Sequence, residues 1–99
     1  MIDRHGVEIR HGCVCYIEYK TNRFKAFIVF EHEGALQFVY RHDLDKGLWN
    51  MYSLDILDPN RVSVRFNIAQ YIAEWHAVGK VLDTPWTRRW DLIRKQLAV

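Results

Sequence analysis

The chain has 99 residues, 49% of them hydrophobic and 14% aromatic, and its formal net charge is +2. This length suffices for one compact domain over residues 1–99 and excludes a second independent domain. The modest net charge does not favour a protein whose whole surface binds nucleic acid. No apolar run is long enough to cross a membrane, and residues 1–6 lack the apolar stretch of a signal peptide, so we expect a soluble, cytoplasmic protein.

Residues 7–66 carry the period-two pattern of β-strands. In one segment, for example, Phe24, Ala26 and Ile28 would point to one face of a strand and Lys25 and Phe27 to the other. Turns that contain Gly, Asn, Asp or Pro separate such segments. We predict five strands, near residues 13–20, 24–32, 35–42, 48–56 and 61–66. Because the connections are short, successive strands should pair antiparallel in a β-meander, either open or closed into a barrel.

The pattern changes to the period of a helix at Asn67, a suitable N-cap, and ends at Gly79. One face of this predicted helix carries large apolar side chains, namely Ile68, Tyr71, Ile72, Trp75 and Val78. We expect this face to pack on the sheet, with Tyr71, Ile72 and Trp75 holding the helical half of the domain to the strands. A second face of this helix carries only small side chains, Ala69, Ala73 and Ala77. Because another element can approach such a smooth face closely, we expect this face to be covered.

A second helix is predicted after Thr84, which is a good N-cap residue, and Pro85 occupies the favoured first position. Its inward stripe is formed by Trp86, Trp90, Ile93 and Leu97. The two helices, within residues 67–99, should form an αα-hairpin packed on the meander of residues 1–66. The predicted fold class is therefore α+β.

The final helix concentrates positive charge. From Thr84 onward four basic residues face one acidic residue, Asp91, a local balance of +3. Three interpretations fit this pattern: the solvated face of a structural helix, a protein-binding surface, or a nucleic-acid-binding surface. If the helix binds a partner, the candidate contact residues are Arg88, Arg89, Arg94, Lys95, Trp86 and Trp90.

Residues 43–58 have the opposite character. They contain four Asp and one Lys, a local balance of −3. Turn and cap roles account for most of these Asp residues, and paired carboxylates for acid–base catalysis are the less favoured interpretation. We expect this acidic stretch to be a counter-surface for the basic helix, either within one chain or across a homodimer.

A possible ligand set for a metal lies near the start of the chain, where His5, His11, Cys13 and Cys15 fall within eleven residues. The two cysteines are separated by one residue, whereas structural zinc sites typically place two to four residues between them. On a strand both thiols point to the same face, where a mutual disulfide is geometrically poor. We expect reduced, packed cysteines, no metal and no cofactor, and we identify no catalytic residue.

These observations favour a small non-enzymatic binding module, a regulator or inhibitor that acts through protein–protein contacts. The alternative is a nucleic-acid-binding regulator that uses the basic helix. Self-association into a homodimer is left open. If the last helix is only a solvated cover, the exposed faces of the sheet are the next candidates, with Lys25, Arg41, Tyr16, Tyr19 and Tyr40.

Overall fold

The computed structural model of the protein describes residues 1–98, so Val99, the last residue of the expected domain, lies outside the described residues. The elements in chain order are β1 (Cys13–Lys20), β2 (Arg23–His32), β3 (Ala35–Tyr40), α1 (Arg41–Asp45), β4 (Tyr52–Ser53), β5 (Val62–Asn67), α2 (Ile68–Ala77) and α3 (Pro85–Leu97). Two 3-10 turns, Leu54–Ile56 and Pro59–Arg61, connect β4 to β5. The antiparallel sheet with C-terminal helices packed on it confirms the predicted α+β fold.

The five strands form one antiparallel sheet in the order β4-β3-β2-β1-β5. Strands β1 to β4 follow one another as the predicted meander. The last strand does not continue it, because β5 returns to pair with β1. Strands β4 and β5 therefore lie at opposite edges, and the sheet is open and not closed into a barrel.

Two predicted strands are shorter than expected. The third ends at Tyr40, where α1 begins, and of the predicted strand 48–56 only the two residues of β4 pair with β3. The side chains of Ser53 and Asp58 accept hydrogen bonds from backbone N–H groups two residues further on and so cap the two 3-10 turns. Such local bonds compete with the ladder bonds of a sheet, which explains why this segment turns instead of remaining extended.

Both faces of the sheet are covered, each by its own core. The core that lies under the 3-10 turns and the N-terminal arm consists of Ile9, Cys13, Cys15, Phe27, Val29, Phe38, Leu54, Leu57 and Val62. The core under the helices consists of Val14, Ile28, Phe30, Val39, Leu44, Ile68, Trp90 and Ile93. Successive side chains of a strand point to opposite faces, so β1 and β2 contribute to both cores.

Gly12 joins the central strands to α2. Its N–H donates to the carbonyl of Val29 and its carbonyl accepts from the N–H of Ile68, each at 2.8 Å. The residue has a φ of +90°, and a Cβ at this position would lie 2.5 Å from the Cβ of Ala69. Only glycine combines this conformation with this close approach, so Gly12 fixes where α2 begins.

Only the first turns of α2 pack on the sheet. Ile68 is buried and Ile72 is half-buried, whereas every residue from 73 to 81 is exposed. Ile72 packs on the core and Tyr71 stacks on Phe66 of β5, as predicted. Trp75 contacts no strand residue of the core and is 41% exposed, so the prediction that it holds the helices to the sheet is wrong. The helix starts directly at the end of β5, an edge strand, and its later turns extend past the buried core. There α3 lines a shallow recess together with Ala73 and His76. The predicted cover of the alanine face is likewise limited to Ala69, which is half-buried.

Candidate protein-binding surface on the helical hairpin

Helix α3 is fixed at its N-terminus by a reciprocal pair of threonines. The N–H of Thr84 donates to Oγ1 of Thr87 at 2.7 Å, and the N–H of Thr87 donates to Oγ1 of Thr84 at 3.2 Å. The predicted apolar stripe is confirmed, because Trp90 and Ile93 are buried while Trp86 and Leu97 are half-buried against the same core. The stripe fixes the direction in which every basic side chain of this helix points.

Arg89 is part of the packing of the domain. Its guanidinium binds the carboxylate of Asp45 through two hydrogen bonds of 2.8 and 3.1 Å, and it lies 4.6 Å from the centre of the Trp86 ring. The hydrogen bond from Arg89 holds the pKa of Asp45 below its usual value. Of the predicted counter-surface over residues 43–58, only Asp45 contacts the basic helix within the described chain; Asp58 instead pairs with Arg61.

The other candidate residues of α3 differ in their surroundings. Trp90 is only 5% exposed, so its side chain is a core residue and is not accessible to a partner. Arg88 donates to the carboxylate of Asp83 at 3.1 Å. Arg94 and Lys95 are exposed and form no ion pair with any of residues 1–98. Asp91 lies beside these two residues on α3 without forming an ion pair with either.

An exposed apolar surface lies on α2 and the connector that follows it. We call it the hairpin surface, and it consists of Tyr71, Trp75, Val78 and Val81, which are 46%, 41%, 67% and 78% exposed. The first three are spaced four and three residues apart and therefore form one stripe along the helix. Large apolar residues exposed singly are ordinary, but a continuous stripe of them is typical of an interaction site.

A groove runs beside this stripe, between β5, α2 and the start of α3. It has a volume of about 470 Å³ and is lined by Arg65, Phe66, Ile68, Tyr71, Trp75, Leu82, Thr84 and Trp86. Phe66 stacks on Tyr71 with 5.7 Å between ring centres and meets the edge of Trp86 at the same distance. These aromatic contacts hold the floor of the groove in place, so the groove exists before any partner binds.

Of the four residues considered as a metal ligand set, Cys13 and Cys15 are packed within the domain, His11 contacts other elements at its surface, and His5 is exposed. Cys13 and Cys15 are free thiols buried in the same core, which confirms that they share a strand face. Burial raises the pKa of the Cys15 thiol, so this thiol stays protonated and unreactive. His11 accepts the N–H of Glu31 at Nδ1 and its ring meets Trp90. Among the described residues no group of three or more His, Cys, Asp or Glu side chains is arranged to hold a metal ion.

Comparisons of the chain with protein-family models, with curated proteins and with solved structures found no match. Within residues 1–98 no helix has both the length and the apolar character needed to span a membrane.

The sequence identified the hairpin surface only indirectly. The spacing of Tyr71, Trp75 and Val78 matches a buried stripe and so predicts core positions, because spacing cannot tell how far a sheet extends below a helix. One signal did exist in the composition, since 49% hydrophobic residues in 99 is more apolar material than one small core requires. Surplus apolar side chains of this kind are found at interfaces.

Proposed function

We propose that the protein is a non-enzymatic binding module, a regulator or inhibitor that binds another protein through the hairpin surface and its groove. The observation that carries this proposal is the exposed stripe that Tyr71, Trp75 and Val78 form along α2 and its C-cap. We place the protein in the cytoplasm, where the two buried thiols would remain reduced.

The residue types of this surface match those that dominate binding energy at protein interfaces. Trp and Tyr anchors that fill pockets, surrounded by polar residues that exclude water, are the usual arrangement of a hot spot. Here Trp75 and Tyr71 are the anchors, and Arg65 and Lys80 lie at the rim, the Lys80 ammonium 5.9 Å from the centre of the Trp75 ring. A partner would present an apolar face with carboxylates at its edges.

The experiment captures partners on immobilised protein and then measures their affinity for variants. Trp75→Ala and Tyr71→Ala should each weaken binding at least tenfold, because they remove anchors of the interface. Ile56→Ala is the matched control, since Ile56 is an apolar residue 66% exposed on the opposite side of the sheet. Equal affinities for all three variants and the wild type would exclude the hairpin surface.

Sedimentation of the purified protein tests whether a homodimer forms through the hairpin surface. A species of twice 11.9 kDa that Trp75→Ala returns to the monomer mass would make a second copy of the chain the occupant of the surface. A dimer that Trp75→Ala leaves intact would exclude this role for the hairpin surface.

The alternative proposal, a nucleic-acid-binding regulator that uses α3, is favoured only by the exposed charges of Arg94 and Lys95. Two phosphate contacts give a salt dependence of about −1.4 to −1.8 in log affinity against log salt, a weak electrostatic attachment. Arg88 and Arg89, which would double the number of contacts, are already paired with Asp83 and Asp45. These pairs make the protein-binding proposal the stronger of the two.

A further inference from the structure

The N-terminal arm already binds main-chain groups of β5, the strand that borders the groove of the hairpin surface. The N–H of Arg4 donates to the carbonyl of Val62 at 3.0 Å, and Oδ2 of Asp3 accepts the N–H of Val64 at 2.8 Å. A strand added by a partner would need these same groups for its ladder of hydrogen bonds. Pairing of an extended peptide with β5 is therefore closed along residues 62–64.

The helix ends that border the groove are closed in the same way. At the end of α2, the N–H of Lys80 donates to the carbonyl of Trp75 at 2.9 Å, which is the long bond of a Schellman motif. The start of α3 is capped by the reciprocal threonine pair. The connector 81–83 forms no main-chain hydrogen bond within residues 1–98, but it is shorter than a typical strand of about five to six residues.

An occupant of the groove must therefore satisfy its own main chain. The floor is formed by the apolar side chains of Phe66, Ile68, Leu82 and Trp86. An extended peptide buried there would leave N–H and C=O groups without partners, which is unfavourable. An α-helix forms these hydrogen bonds internally and presents only side chains. The groove volume of about 470 Å³ is comparable to that of one helical turn about 10 Å wide, so the groove accepts the side chains of one helix face.

The cations at the rim favour an acidic flank on such a helix. The Arg65 guanidinium lies 4.9 Å from the centre of the Tyr16 ring, and the Lys80 ammonium lies 5.9 Å from that of Trp75. Neither cation forms an ion pair within residues 1–98, and no carboxylate lines the groove. Contacts with rings position these charges without neutralising them, so both cations are available to carboxylates of a partner.

Two carboxylates are neighbours of lining residues in sequence but do not line the groove themselves. Asp83 is bound by Arg88 at 3.1 Å. Glu74 accepts a hydrogen bond from Gln70 at 2.9 Å, and its position on α2 places it on the side of the stripe away from the groove. Glu74 therefore meets the outer flank of a bound helix, whereas Arg65 meets the flank that faces β5.

We propose that the groove receives an amphipathic helix of the partner protein, with apolar side chains at positions i, i+3 or i+4, and i+7 and with carboxylates on the flank toward Arg65. The apolar side chains enter between Tyr71, Trp75 and Trp86, and the carboxylates pair with Arg65 and Lys80. A basic helix of the same shape is a poorer ligand because like charges repel. This inference rests on the proposed function, because it gives the form of the partner that the hairpin surface binds.

The test selects binders of the immobilised full chain from random peptides displayed on phage, each about 16 residues long, enough for four helical turns. Recovered peptides should share the apolar spacing and carry Asp or Glu along one flank. A labelled synthetic peptide of the consensus should gain helical circular dichroism on binding. A central proline in this peptide should weaken binding at least about tenfold, because proline interrupts a helix.

Arg65→Glu should weaken binding of the consensus peptide about fivefold or more, with a larger loss at low salt than at high salt. Lys95→Glu is the matched control, since it also changes the net charge from +2 to 0 but lies on α3 outside the groove. Lys95→Glu should retain affinity within about twofold. A peptide with Lys in place of its flank carboxylates should recover affinity for Arg65→Glu, and circular dichroism verifies that both variants are folded.

Peptides that require Trp75 but are extended, tolerate the proline or carry basic flanks would overturn the inference and leave the hairpin surface as the binding site. Recovery of no peptide would overturn it as well. Peptides that bind Trp75→Ala as tightly as the wild type would count against the hairpin surface itself. A dimer that Trp75→Ala dissociates would assign the groove to a second copy of the chain and so overturn the helix of another protein.

Discussion

At the scale of single residues, the four tryptophans show that residue type does not fix a structural role. Trp90 is 5% exposed and lies in the helical core, whereas Trp75 is 41% exposed on the hairpin surface. Both tryptophans lie on an apolar stripe of a helix, but the stripe of Trp90 packs against the core of the domain and that of Trp75 faces solvent. The free energy of unfolding should therefore depend on Trp90 and partner affinity on Trp75.

Trp90→Ala should lower the free energy of unfolding by about 3–5 kcal/mol, because it leaves a cavity in the core and removes the contact with His11. Trp75→Ala should cost less than about 1.5 kcal/mol, since much of its ring is already in water. Urea unfolding monitored by circular dichroism measures both. A larger loss for Trp75→Ala would show that α2 packs more closely on the domain than described.

Asp3 predicts how stability depends on pH. Burial by itself would raise the pKa of Asp3. Hydrogen bonds from the backbone N–H groups of Val64, Val7 and His5 together lower the pKa by more than burial raises it, so the net pKa lies below the usual value. A carboxyl whose folded pKa is depressed contributes stability above its unfolded pKa, about 3.9, and loses it as the pH falls through the lower folded pKa.

Asp3→Asn should therefore reduce the free energy of unfolding at pH 7 by about 1–3 kcal/mol, because an amide cannot accept all three bonds. The difference from the wild type should narrow as the pH falls below about 4. Urea unfolding at pH 7, 5, 3 and 2 measures it, with the exposed Asp55→Asn as control. A difference that stays constant over this range would contradict the role given to the Asp3 carboxylate.

At the scale of elements, junctions decide how the helices sit on the sheet. Gly12 connects β1, β2 and α2 through two backbone hydrogen bonds. Asp45 and Arg89 connect α1 to α3. Because Arg89 is 18% exposed and Asp45 is 45% exposed, solvent screens this ion pair in part, and it contributes at most about 1 kcal/mol. The glycine junction is the more critical of the two.

Gly12→Ala should cost about 2–5 kcal/mol, the sum of a left-handed backbone for alanine and a clash with the side chains of Asn67 and Ala69. Gly34→Ala is the matched control: it also has positive φ, +80°, but nothing lies within 4 Å of the added Cβ. Gly34→Ala should lower the free energy of unfolding by about 1–2 kcal/mol, from the left-handed backbone alone. Thermal or urea unfolding compares them, and equal losses would refute the close approach at Gly12.

At the scale of the whole molecule, two cores share the central strands. β1 and β2 place successive side chains in opposite cores, so neither core can lose its packing without disturbing the strands that support the other. The tryptophans of the cores, Trp90 and the partly buried Trp49 and Trp86, all belong to the helical side. Tryptophan fluorescence therefore reports one core only.

This arrangement predicts a single cooperative unfolding transition. Phe38→Ala, which creates a cavity in the tryptophan-free core, should shift the midpoint of tryptophan fluorescence and that of far-ultraviolet circular dichroism by the same amount. Ile93→Ala in the helical core is the control and should also shift both midpoints together. Separate midpoints in the Phe38→Ala variant would show that the two cores unfold independently.

The sequence by itself determined the features that depend on neighbours along the chain. The caps Asn67 and Thr84, the stripe of α3 and the first three strands were predictable because local hydrogen bonds and side-chain periodicity act over a few residues. The contact between the acidic stretch and the basic helix was also predictable, since opposite charges attract wherever the chain brings them together. Shared placement of Cys13 and Cys15 followed from strand alternation alone.

Only the tertiary structure decided what depends on distant parts of the chain. The return of β5 to β1 left β4 and β5 as open edges, and α2, which begins at such an edge, therefore carries Tyr71 and Trp75 past the core. The early end of β3 at Tyr40 left residues 23–26 of β2 unpaired on that side. Periodicity assigns side chains to a face, but which face is covered depends on strand order and element length, and these are fixed by packing between residues far apart in sequence.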